Sequence, residues 1–73
     1  MDFLIKDGIV VTTELLGGVT SSIAFKIDSL DSYRESGIDN TIVNVGNYTT
    51  TIPISFPIFN NAIRAVIRQK NRQ

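Results

Sequence analysis

The chain of 73 residues contains no cysteine, no histidine and no tryptophan, and it has only two prolines. Without cysteine or histidine there is no disulfide, no thiolate or imidazole metal ligand, no thiol nucleophile and no imidazole base. No apolar run exceeds four residues, which is far shorter than a membrane-spanning helix requires. The first residues also lack the basic and apolar segments of a signal peptide. Because so small a domain without disulfides buries little surface, its stability is expected to depend on its core or on partners.

The remaining residue types offer few groups that could catalyse a reaction or bind a ligand. Asp28, Asp31 and Glu35 do not follow the spacing of a calcium-binding loop. Gly17 and Gly18 are not followed by the Lys-Ser or Lys-Thr pair of a phosphate-binding loop. A catalytic pair of carboxylates would need burial that so small a core scarcely provides. The sequence therefore predicts a protein that is not an enzyme and has no cofactor and no metal ion.

Charge is unevenly distributed along the chain although the formal net charge is zero. Residues 1–40 hold seven acids and three bases (3 − 7 = −4), whereas residues 41–73 hold four bases and no acid (+4). An acidic body with a basic end suits contacts between neighbouring chains.

Two turn signals predict three strands in the N-terminal part. Asp7 and Gly8 suit a two-residue hairpin turn that pairs Ile5 with Val10. Gly17 and Gly18 permit a second reversal, which brings Val10 opposite Phe25. The two registers agree in predicting one apolar patch, made of Phe3, Ile5, Val10, Ile23 and Phe25.

Residues 29–37 match a short helical turn, because Ser32 and Glu35 have the spacing of a capping box and Gly37 is a plausible terminator. Leu30 and Tyr33 would then face inward, and a polar loop is the alternative.

A second hairpin is predicted around Gly46 and Asn47, where a type II′ turn would pair Val43 with Thr50. Pro53 and Pro57 then follow in the continuing alternation and remove two backbone donors from the same side. Residues 51–56 are therefore expected to form an edge strand or an extended arm, not a central strand.

From Pro57 onward the apolar residues follow a helical period over a wide arc. Arg64, Arg68 and Arg72 recur every fourth residue and form a basic stripe on this helix. The apolar arc favours packing against the sheet or a second subunit over binding to a membrane surface.

These patterns predict a single small domain over 1–73, with a β-rich body at 1–56 and a C-terminal amphipathic helix at 57–73. The fold class is mostly β with a C-terminal helix (α+β). The sheet is expected to be a small antiparallel meander or a five-stranded, barrel-like sheet, with a short helical turn between strands 3 and 4.

The functional hypothesis is a structural or assembly subunit that packs against other protein chains as a homo-oligomer or larger assembly. Small, cysteine-free β proteins with extended arms are common among virus and phage particle components, so a capsid or tail protein, in a virion or host cytoplasm, is its specific form. An inhibitor of one protein partner is also compatible with the sequence. The alternative is a small regulator that binds nucleic acid through the basic helix, although the acidic body disfavours it. The predicted protein-interface residues are Ile52, Ile54, Phe56, Ile58, Phe59, Ile63, Arg64, Ile67, Arg68 and Arg72.

Overall fold

A computed structural model describes residues 3–71, with side chains over 3–69. Six antiparallel strands and a short 3-10 turn precede one α-helix that closes the described part of the chain. In chain order the elements are β1 (Leu4–Lys6), β2 (Ile9–Leu16), β3 (Val19–Lys26), the 3-10 turn (Ile27–Ser29), β4 (Leu30–Ser36), β5 (Asn40–Val45), β6 (Tyr48–Ile52) and α1 (Phe56–Asn71). The protein is mostly β with a C-terminal helix, and its sheet is a curled half-barrel.

The N-terminal hairpins have the registers that the turn residues predict. Ile5 pairs with Val10 and Val10 pairs with Phe25, so these three side chains lie on one face of the sheet. The first turn depends on positive φ angles, 55° at Asp7 and 77° at Gly8, which Asp tolerates and Gly adopts freely. Turn chemistry therefore aligns the apolar residues of three strands.

The second predicted hairpin is also confirmed, with Val43 opposite Thr50 across the turn that begins at Gly46. Val43 is fully buried and Thr50 almost so, which places this pair on the face that forms the core. We call this the inner face of the sheet and the opposite one the outer face.

The predicted short helical turn between the third and fourth strands is confirmed, but it does not extend over residues 29–37. The helical turn lies earlier, at Ile27–Ser29, and Leu30–Ser36 forms an additional strand, β4, which pairs with β5. The capping-box spacing of Ser32 and Glu35 has no helix to cap here, because hairpin pairing with β5 overrides the helical signal. Leu30 and Tyr33 do pack against the core, as expected.

The prediction that residues 51–56 form an edge strand or an extended arm, and not a central strand, is wrong. β6 ends at Ile52 and lies inside the sheet, between β5 and β2, where Leu15 pairs with Thr51. Pro53 follows the end of the strand and Pro57 lies in the first helical turn. Pro53 therefore removes no hydrogen bond between strands. Pro57 removes no hydrogen bond of the helix, because the N–H groups of the first helical turn have no intrahelical partners.

The helix α1 packs on the inner face and completes the core. Its first intrahelical bond runs from the Phe59 N–H to the Ser55 carbonyl (3.0 Å). Phe59 then contacts the rings of Phe3 and Tyr33, at centroid distances of 5.9 and 5.2 Å. The Tyr33 hydroxyl donates to Asn60 Oδ1 at 2.6 Å. The buried apolar side chains are Val10, Phe25, Val43, Ile52, Ile54, Phe59 and Ile63.

Candidate protein interface

Four of the ten predicted interface residues are buried within the chain itself. Ile52, Ile54, Phe59 and Ile63 all belong to the core between the sheet and α1. Their side chains are occupied by intramolecular packing, so in the folded chain they are not available to a partner. The apolar arc of the helix therefore serves mainly to close this protein's own core.

The other predicted residues lie at the surface or near it. Ile58 and Ile67 are exposed on α1, as are Arg64 and Arg68. Phe56 is half-buried and its ring contacts that of Tyr33 at a centroid distance of 5.7 Å. Arg72 lies outside the described residues. The helix thus presents two arginines one turn apart, with apolar side chains on either side.

Another apolar surface lies on the outer face, where the sequence patterns did not indicate an interface. Leu4 and Val11 are paired neighbours in β1 and β2, with exposed fractions of 59% and 43%. Ala24 of β3 pairs with Val11 and extends this row across a third strand. Ile9, also exposed, lies on the same face between Lys6 and Lys26. We call Leu4, Ile9, Val11 and Ala24 the outer apolar row.

The signal for the outer apolar row was present in the sequence. Ile9, Val10 and Val11 are three successive apolar residues, and successive side chains of a strand point to opposite faces. Once Val10 faces the core, its two neighbours must face away from it. A half-solvated antiparallel strand normally alternates apolar with polar residues, so this run indicates a second apolar face.

A polar cluster on the inner face centres on Glu14. Tyr48 and Thr50 both donate their hydroxyls to Glu14 Oε1, at 2.5 and 2.7 Å. These two hydrogen bonds, with Tyr48 the larger contributor, hold the pKa of Glu14 below its usual range, although partial burial opposes them. The same bond raises the pKa of Tyr48. A carboxylate held in this way acts as a link between β2 and β6.

A groove of about 710 Å³ opens between the C-terminal half of α1 and the β1–β2 turn. Ile5, Ile27 and Val66 contribute apolar walls, and Asp7 and Lys26 contribute charge. Within residues 3–71 no cluster of three or more acidic side chains is placed to hold a metal ion. No helix in that range is long and apolar enough to span a membrane.

The chain matches no family model, no curated protein and no solved structure. The outer apolar row and the exposed side of α1 are therefore the features on which a functional argument rests.

Proposed function

We propose that this protein is a non-enzymatic structural subunit that assembles with further copies of itself, and that the outer apolar row is part of the contact. The observation that carries the proposal is the pairing of Leu4 with Val11 on a sheet face that α1 does not cover. Apolar patches left open on one side of a sheet are typical of interfaces between protein chains. A subunit of a virus or phage particle is the specific form that the composition favours.

The packing of α1 supports this assignment of the two sheet faces. Phe59 and Ile63 fill the inner face, so the chain's only described helix is already used there. Covering a half-exposed Leu or Val side chain stabilises a complex by a fraction of the roughly 1.5–3 kcal/mol gained on full burial. Several such side chains in one row are needed for a stable contact, and the row provides them across three adjacent strands.

A pair of variants on β2 tests the role of the outer apolar row. Val11→Lys places a charge in the row, whereas Thr13→Lys places the same charge on the same strand and face, two residues away. Both positions are outside the buried core, so each variant is expected to keep the fold. Light scattering over a concentration series should show that Val11→Lys shifts the chain toward the monomer.

Thr13→Lys should associate as the unmodified chain does. Equal masses for all three proteins would count against the outer apolar row as the contact. Circular dichroism of each variant shows that a change in mass comes from the surface and not from unfolding.

A nucleic-acid-binding regulator is the second candidate, favoured by the exposure of Arg64 and Arg68 one helical turn apart. Phosphate contacts by these side chains would make the affinity for single-stranded DNA fall steeply with salt. Replacing both arginines by alanine should then reduce the slope of this dependence by about 1.4. An affinity that is independent of salt eliminates this candidate.

A further inference from the structure

The sheet has a short edge strand, β1, and two long edge strands, which differ in how they are protected against pairing with another chain. β4 forms one edge and carries the charged residues Asp31, Arg34 and Glu35, together with a register shift near Leu30. Edge strands commonly use charges and bulges of this kind to prevent association. β3 is the other long edge strand and has neither a proline nor a bulge, and its only charge is Lys26 at the last position.

The backbone of β3 has unused hydrogen-bonding groups on its free side. Within residues 3–71, β3 pairs only with β2. The Ile27 N–H donates to the Gly8 carbonyl (2.9 Å), and in an antiparallel pair the bonded positions alternate. Odd-numbered residues of β3 therefore bond to β2. The N–H and C=O groups that point away from β2 belong to Thr20, Ser22, Ala24 and Lys26.

We propose that β3 pairs antiparallel with β3 of a second copy, about a two-fold axis at Ile23. This inference rests on the proposed function and adds a contact between copies at the sheet edge, beside the outer apolar row. In this register the free groups of Thr20 face those of Lys26 in the second copy, and Ser22 faces Ala24. All four residues on each strand then have partners, which gives a continuous sheet across the dimer.

Charge and side-chain placement favour a second copy as the occupant. The antiparallel arrangement puts the two Lys26 side chains at opposite ends of the contact, each beside an uncharged Thr20. The zero net charge of the chain adds no long-range repulsion between copies. The outer apolar row ends on β3 at Ala24, so pairing at this edge makes the rows of the two copies neighbours.

Single cysteine variants test the register, since the chain has no cysteine of its own. At the two-fold axis, Ile23 of each copy forms a non-bonded pair with Cα atoms about 4.5 Å apart, within the range of a disulfide. Ser21 lies on the same face, but its two copies would be about 14 Å apart along the strands. Oxidised Ile23→Cys should therefore form a covalent dimer much faster than oxidised Ser21→Cys. Equal rates, or no dimer from either variant, would overturn the proposal.

A backbone change gives a second test that leaves every side chain in place. Chemical synthesis with N-methylalanine at position 24 removes one free N–H from the edge without removing a bond to β2. The dissociation constant of the dimer, measured by sedimentation, should rise at least about tenfold relative to the unmodified synthetic chain. An unchanged constant in a chain that still associates rejects the β3 contact and leaves the proposed function standing. A monomer at every concentration rejects both.

Discussion

Two buried threonines on the inner face experience opposite hydrogen-bonding environments. Thr41 donates its hydroxyl to the Ile54 carbonyl at 2.7 Å, which fixes the chain where it leaves β6. Thr12 is 3% exposed, and its hydroxyl has no hydrogen-bond partner within the described residues. A buried hydroxyl without a partner costs free energy that an apolar side chain of the same shape does not.

The same substitution should therefore have opposite effects at these positions. Thr12→Val is expected to raise the free energy of unfolding by about 1 kcal/mol, because it removes an unpaired polar group. Thr41→Val is expected to lower it by about 1.5 kcal/mol, because the Ile54 carbonyl loses its donor. Urea denaturation measures both. Destabilisation by Thr12→Val would show that the hydroxyl has a partner in solution.

The link between Glu14 and Tyr48 predicts a response to pH. The pKa of Glu14 is lowered in the folded chain, chiefly by the Tyr48 hydrogen bond and then by that of Thr50. Its contribution to stability is thus present above the pKa of the unfolded state and is lost as the pH falls through the lowered folded value. Tyr48→Phe should raise the pKa of Glu14 toward its ordinary range.

Carbon NMR of the Glu14 carboxyl group during an acid titration measures this change. Thr49→Val is the control, since Thr49 donates to Asn44 and not to Glu14. A Glu14 pKa that is the same with and without the Tyr48 hydroxyl would contradict the hydrogen-bonded link between β2 and β6.

At the scale of elements, α1 presents one isoleucine to the core and another to solvent. Ile63 is 2% exposed, whereas Ile67 is 46% exposed one turn later. Ile63→Ala should lower the free energy of unfolding by about 3 kcal/mol, since it leaves a cavity beneath the helix. Ile67→Ala should lower it by less than about 1 kcal/mol. Thermal unfolding of the two variants measures the contrast, and similar losses would contradict the described orientation of α1.

The elements also show which parts of the fold a single sequence can predict. The hairpins at Gly8, Gly18 and Gly46 follow from turn residues next to alternating apolar residues, and both signals are local. The strand β4 depends on hairpin pairing with β5, and the interior position of β6 depends on pairing between distant residues, such as Leu15 with Thr51. Local capping and proline signals mislead there, because tertiary pairing decides the conformation.

For the candidate interface, sequence periodicity located the apolar helix residues but not their partner. Ile63 satisfies the same pattern whether it packs on its own sheet or on a neighbour, and only the fold distinguishes the two. The outer apolar row can be predicted from the consecutive apolar residues Ile9 to Val11, once Val10 is known to face the core. The sequence does not predict which backbone groups of β3 are free, because this depends on the order of the strands in the sheet.

At the scale of the whole molecule, the chain closes a core of its own and still leaves apolar side chains on the outer face. Its zero net charge and the unprotected edge at β3 favour contact between copies. We therefore propose a subunit that folds as a single chain and acts as an assembly of several copies.

The mass of the unmodified chain in solution tests this account most directly. Light scattering from micromolar to submillimolar concentration should show a mass that rises from the 8.1 kDa of one chain to at least about twice that value. A folded chain that keeps the mass of a single copy throughout this range would contradict the account.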